Sequence, residues 1–184
     1  MLNLREYLDA DWDRLSGLSS LNPRSRKATD FLHPRFAPVA FLRYAQVLQA
    51  RGWRRLAKVF SLLNVLLFGL EVPVTLQIGP GLIITHANGI VLGAASIGRN
   101  ATIYQQVTLG ALDADFRFDP GLRPVIEDDV VLAAGAKVLG AVRICSGSTV
   151  GANAVVLSDV PPAHIAVGVP ARVHPKANIP ERAE

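Results

Sequence analysis

Two side chains in this 184-residue chain have the types needed for proton transfer and stand in informative surroundings: His86 and Glu71. Histidine titrates near about pH 6.5, so a neutral imidazole can take a proton from a hydroxyl at physiological pH. A nearby carboxylate can hold the ring in one tautomer and stabilise the cation that forms. His86 lies in Ile84-Thr85-His86-Ala87-Asn88-Gly89; His33, His164 and His174 fall in irregular or terminal stretches. A solitary histidine on a repeating surface is more often a plain surface or capping residue. Three features favour chemistry here: a regular body, a loop inserted about one turn downstream, and Glu71 just before that body begins. Cys145, the single cysteine, follows Ile144 inside the regular pattern, where packing outweighs a nucleophilic role. The four histidines and one cysteine lack metal-ligand spacing, so no metal is implied.

The elements that would position His86 show as a period of six. Ile126, Leu132, Val138, Ile144, Val150 and Val156 share one phase, each followed four places later by Val130, Ala136, Val142, Ser148, Ala154 or Val160. A helix repeats every 3.6 residues and a strand every two, so neither alone accounts for six. A coil of short flat faces does, with one large aliphatic residue per face in a shared interior and small residues near the corners. The pattern therefore predicts a parallel β-helix of hexapeptide repeats. Upstream it predicts Val91, Ile97, Ile103 and Leu109 in the interior, with Ala95, Ala101 and Val107 behind them. Ile78 and Ile84 precede these, with one extra residue before Val91. His86 falls outside the interior phase and should lie on the coil surface. From Gly110 to Pro124 the period lapses into ALDADFRFDPGLR. A loop expelled from a solenoid is usually functional; the alternative is a tolerated insertion.

The expected organisation is an α-helical region over 1–70, a β-helix over 71–173 with loop 110–124, and a tail over 174–184. Residues 1–60 carry 11 Lys/Arg against 5 Asp/Glu, and the remainder 8 against 10, which points the first region at something anionic. Nucleic acid is a poor partner, since aromatics are few and no binding motif is present. A single cysteine allows no internal disulfide and fits a reducing, cytoplasmic setting. The start, MLNLREYLDADWD, is acidic without an apolar core, unlike a secretory signal.

Within the first region, Leu4, Leu8, Leu15 and Leu18 suggest an amphipathic helix over 1–20. Pro23, Pro34 and Pro38, with Arg24, Arg26 and Lys27, make 21–38 irregular. Helix returns from Val39 to Phe68, with a break at Gly52. There Leu56, Val59, Phe60, Leu63 and Leu67 share one face, and Arg51, Arg54, Arg55 and Lys58 another. The apolar run Leu62–Leu70, broken by Asn64 and Gly69, is too short to span a bilayer. Two roles are open: the helix packs on the solenoid or a neighbouring subunit, or it makes peripheral contact with an anionic membrane through 39–68.

GLIITHANGIVLG, IGRNATIYQQVTLGA and the run from Ile126 to Val173 together resemble the serine acetyltransferase branch of the hexapeptide-repeat acyltransferases, over about residues 69–173. The resemblance implies a left-handed parallel β-helix, mainly β, assembled as a homotrimer or a multiple of three. It implies acetyl-CoA as co-substrate, bound between subunits. His86 matches the family's catalytic histidine, and Glu71 the position of the carboxylate that orients it. Ala134 and Ala152 match main chain lying against CoA, and Arg172 a basic residue near its phosphates. Gly110, with Ala111, is expected to offer backbone N–H groups to an oxyanion. Departures fall on the acceptor side. Thr85 stands where the serine enzymes carry Asp, and Leu122-Arg123-Pro124 where they carry Arg-His-Pro. The region before the coils is shorter and more basic than in the usual serine enzyme. Thr85 and Arg123 are therefore the acceptor-side candidates. These departures, with the Phe-Gly-x-Glu entry at 68–71, look like the serine-acetyltransferase-type enzymes of extracellular polysaccharide synthesis, such as colanic-acid acetyltransferases. The expectation is an O-acetyltransferase acting on a sugar hydroxyl. The alternatives are a serine O-acetyltransferase of cysteine biosynthesis, or a non-catalytic trimeric scaffold.

Overall fold

The computed structural model describes residues 4–18 and 26–176. The irregular stretch expected around Pro23 and Arg24, and the tail beyond 176, lie outside the described residues. The downstream phase of six is the interior: Ile126, Leu132, Val138, Ile144, Val150 and Val156 are each at most 1% exposed. Behind them Val130, Ala136, Val142, Ser148, Ala154 and Val160 are buried too. Successive members occupy successive sides of a three-sided prism, a left-handed parallel β-helix.

The first side stacks the strands Leu70–Glu71, Ile90–Leu92, Thr108–Gly110, Lys137–Leu139 and Val155–Val156. The second stacks Gln77–Ile78, Ser96–Ile97, Val125–Ile126 and Arg143–Ile144. The third stacks Ile83–Ile84, Thr102–Ile103, Val131–Leu132, Thr149–Val150 and His164–Val167, with Arg172–Pro175 antiparallel at its end. Register aligns one aliphatic residue per coil into columns, such as Ile84, Ile103, Leu132 and Val150. Corners are tight: a Cβ on Gly79 would lie 2.7 Å from backbone atoms of Gly98 and Arg99 in the next coil.

Two expected positions are wrong, Val91 and Ala95. Leu92, fully buried, heads the column with Leu109, Val138 and Val156, while Val91 pairs with Thr108 and faces outward. Ala94 rather than Ala95 is fully buried behind it. A one-residue shift in a strand exchanges its two faces. From Ile84 to Leu92 the chain takes eight residues where later coils take six, and the surplus forms the turn bearing His86.

Among the described residues the first region holds three α-helices, α1 (Leu4–Leu18), α2 (Ala37–Ala50) and α3 (Arg54–Phe68), and a short 3-10 helix, Ala28–Leu32. Gly52, at φ +83°, separates α2 from α3, and Gly69, at φ +68°, ends α3 in the left-handed conformation that favours glycine. Leu8, Trp12 and Leu15 of α1 pack with Phe36, Ala40 and Ile83. Phe41 of α2 meets Phe60 and Phe68 of α3, with ring centroids 5.6 and 5.7 Å apart.

These helices also close the open edge of the first coil. A solenoid's end strands present unpaired carbonyls and amides, and a cap must satisfy them. Arg43 donates to Ile78 O at 2.9 Å and Gly79 O at 2.7 Å, and is held by Asp11 at 2.8 and 3.1 Å. The Asp11 carboxylate also accepts from the Leu82 N–H at 2.8 Å. Arg14 donates to Gly81 O at 2.7 Å and Ala101 O at 3.0 Å, and Gln46 to Leu76 O at 2.7 Å.

Candidate active site

His86 sits in the corner that joins the third side to the first, between Ile83–Ile84 and Ile90–Leu92. Hydrogen bonds fix both ends of this turn. Thr85 N–H donates to Ile103 O at 3.1 Å, and the Gly89 and Ile90 N–H groups both donate to Gly69 O, at 3.0 and 3.2 Å. The bond to Gly69 ties the histidine turn to the strand carrying Glu71, whose residue pairs with Val91. His86 and Glu71 are both exposed, and neither side chain makes a hydrogen bond or ion pair among the described residues. The fold thus sets the turn bearing His86 against the strand bearing Glu71, without a bond between the two side chains.

The same corner recurs in each following coil, and a ladder of backbone bonds runs along it. Gln106 N–H donates to Asn88 O at 3.1 Å, Gly135 N–H to Gln105 O at 2.9 Å, and Asn153 N–H to Ala134 O at 2.9 Å. Asn88, in the turn that bears His86, therefore shares one edge of the prism with Gln105, Ala134 and Asn153, the last beside Ala152, in four successive coils. Small side chains at 134 and 152 leave the backbone of that edge accessible. Beyond them, Val155 N–H donates to Gly168 O at 3.0 Å and Ala171 N–H to Val155 O at 2.8 Å, which sets exposed Arg172 at the far end. Gly110, on the neighbouring side, opens onto space: no atom lies within 4 Å of a Cβ built there.

Two residues on this edge escaped the sequence reading. Lys137 extends its ammonium to Gln106 O at 2.7 Å and Gly135 O at 2.9 Å. Gln105 has a buried Oε1 without a hydrogen-bond partner. An unmet buried acceptor is costly, so such a group marks a place where a donor from outside the chain would be stabilised. Neither residue interrupts the period of six, so the pattern carried no signal for them.

The loop after Gly110 is folded from within. The Arg123 guanidinium meets the Asp115 carboxylate at 2.9 and 3.1 Å, Gly93 O at 3.0 Å and Asp115 O at 3.1 Å. It lies 3.6 Å from the centre of the Phe118 ring, and is 8% exposed. Burial works to raise the Asp115 carboxyl, but the bonds from Arg123 and from the Asp119 and Arg117 N–H groups outweigh it and hold it below its ordinary value. Arg123 is thus engaged, and an acceptor reaching for it would have to displace Asp115. Leu122 and Phe116 stand exposed, Phe116 almost completely. Burial pushes the half-buried Cys145 thiol up, and nearby Glu127 adds to this, which suits packing rather than attack. Among the described residues no three His, Cys, Asp or Glu gather as metal ligands.

Comparison with known proteins adds to this geometry. Residues 123–158 match the model of the bacterial transferase hexapeptide family (six repeats). The serine acetyltransferase of Bacillus subtilis is 40% identical over 133 residues, 71% of this chain and 59% of that protein. The serine acetyltransferase of Helicobacter pylori is 39% identical over 142 residues, 77% of this chain and 81% of that protein. A solved serine acetyltransferase in complex with CoA superposes with a TM-score of 0.76 at 27% identity, over 93% of this chain and 69% of that one. The chain thus spans about three-fifths of the length of the Bacillus relative. It belongs to the serine acetyltransferase family of hexapeptide-repeat proteins.

Proposed function

We propose that the protein transfers an acetyl group from acetyl-CoA to a hydroxyl acceptor, with His86 as general base. One observation supports this reading: the corner ladder starts at Asn88, in the turn that bears His86, and continues through Gln105 and Ala134 to Asn153, beside Ala152, over four coils. A CoA laid along that edge would run from the histidine turn toward Arg172, whose cation suits its phosphates. In a direct transfer, neutral His86 takes the acceptor hydroxyl proton as the oxygen attacks the thioester carbonyl. The tetrahedral oxyanion then collapses, expelling the CoA thiolate, which recovers a proton from the imidazolium. Glu71 would stabilise that imidazolium once the acceptor draws the two groups together. N–H groups at Gly110 and Ala111 are the candidates for the oxyanion.

Serine is the acceptor that the relatives' shared name supports best. A sugar hydroxyl is the second reading, and it now rests on local departures alone: Arg123 is locked to Asp115, and Leu122 and Thr85 replace polar positions of the serine enzymes. Three copies, or a multiple of three, would complete the site, since the ladder edge is open along its length in one chain.

Thiol release from acetyl-CoA, measured with serine and separately with nucleotide sugars, tests the assignment. His86→Ala should lower kcat by about 10²–10⁴, the usual share of a positioned acid–base group. CoA binding should be unchanged. Turnover near wild type in that variant would remove His86 from the mechanism, and loss of CoA binding would make it a structural residue.

A further inference from the structure

We infer that α3 docks on an anionic phospholipid surface. The helix is seated on α2 by a narrow strip, in which only Ala57 and Asn64 are fully buried. Phe60 and Phe68 add ring contacts with α2, and the far side of the helix is open. Trp53, Leu56, Val59, Leu62, Leu66 and Leu67 are between 43% and 70% exposed, a contiguous apolar surface about 22 Å long at 1.5 Å per residue. Isolated exposed aliphatics are ordinary, but a continuous patch marks an interaction surface.

Charge selects the partner. Arg51, Arg54, Arg55 and Lys58 cluster at the start of the helix, all exposed, and none of their side chains makes a hydrogen bond or ion pair among the described residues. Residues 51–70 contain no Asp or Glu, so a second copy that met this face with its own α3 would bring no carboxylate to it. Cations there also add to the positive end of the helix dipole, which disfavours the helix unless an anion answers them. A shallow hollow of about 410 Å³ opens among Gly52, Trp53, Arg54, Arg55 and Leu56, wide enough for a lipid headgroup. Trp53 sits between the cations and the leucines, at the depth where indole partitions in a bilayer interface. Apolar flank, basic cluster and interfacial tryptophan together describe a helix lying in the plane of an anionic surface. No described helix is long and apolar enough to cross a membrane. The inference concerns where the protein sits and is independent of its acceptor.

Vesicle sedimentation of the full chain tests it, comparing phosphatidylcholine alone with phosphatidylcholine plus phosphatidylglycerol. Binding should require the anionic lipid and weaken at least tenfold when salt is raised to about 0.5 M. Arg54→Gln/Arg55→Gln and Leu62→Gln/Leu66→Gln should each weaken binding by about tenfold or more, with circular dichroism unchanged. Brominated lipid should quench Trp53, while Trp12, 2% exposed, serves as the silent reference. Absence of binding, or equal binding to neutral vesicles, overturns the inference. So does a drop in the mass measured by light scattering for Leu62→Gln/Leu66→Gln, which would assign the face to a second copy.

Discussion

The first region of the chain contains two populations of cations that sequence counting adds into one. Arg14 and Arg43 are turned inward and donate to the carbonyls of the first two coils, to Thr102, to Gln46 and to Asp11. The side chains of Arg51, Arg54, Arg55 and Lys58 make no hydrogen bond or ion pair among the described residues. The first pair belongs to the architecture; only the second can belong to a partner. A net charge therefore becomes evidence about partners only after the internally satisfied charges are removed from it.

The sharpest test of this division removes Arg43. Asp11, 1% exposed, would be left as a buried carboxylate without its cation, and Ile78 O and Gly79 O without donors. Arg43→Met should cost about 3–5 kcal/mol of unfolding free energy in urea titrations, the usual result of stranding one member of a buried pair. Combining it with Asp11→Asn should recover part of that loss, because the amide still accepts from Leu82 N–H without leaving a charge. A loss below about 1 kcal/mol would place Arg43 with the outer cations.

Arg123 is a third case, an inward cation in the loop. Arg123→Met should raise the rate of proteolytic cleavage within 111–124 roughly tenfold or more, as expected when charge-assisted bonds hold a segment shut. Acid should act on the same lock. The Asp115 carboxyl lies below its ordinary value in the folded chain, so its stabilisation is present above the unfolded value of 3.8 and is lost as pH falls through the folded one. Cleavage within the loop should therefore rise below about pH 4 in the wild type, and Asp115→Asn should flatten that rise. At the small end, Arg54→Gln/Arg55→Gln should move stability by no more than about 0.5 kcal/mol, the range for surface substitutions. A larger change would show that these side chains do hold the fold.

Much of the fold could be read from residue spacing, because a β-helix imposes one buried position on every face and leaves six-residue columns in the chain. Reading failed where the coil itself departs from the period. Two surplus residues between Ile84 and Leu92 moved the interior from Val91 to Leu92. That departure is the histidine turn, so the most informative irregularity was also the one that misplaced a side chain. The helical wheel of α3 showed its apolar face and not its seating, because Ala57 and Asn64, the residues that meet α2, look unremarkable beside its leucines. The surface placement of His86 could be read because the residue stands outside the interior phase. Gln105 and Lys137 could not, since their roles come from bonds across coils rather than from residue type.

The capping contacts also set an order of events at the ribosome. Arg14 donates to Ala101 O, 87 residues downstream, and Asp11 accepts from Leu82 N–H, 71 residues downstream. At about 5–20 residues per second, α1 must wait roughly 4–17 s for its partner in the second coil to be made. Domains generally form from the N-terminus as they emerge, but here an earlier segment, α1, is completed by coils that follow it. During that interval Leu8, Trp12 and Leu15 lack the Ile83 contact that closes their cluster. The nascent chain must hold this apolar surface in check until two coils have been translated.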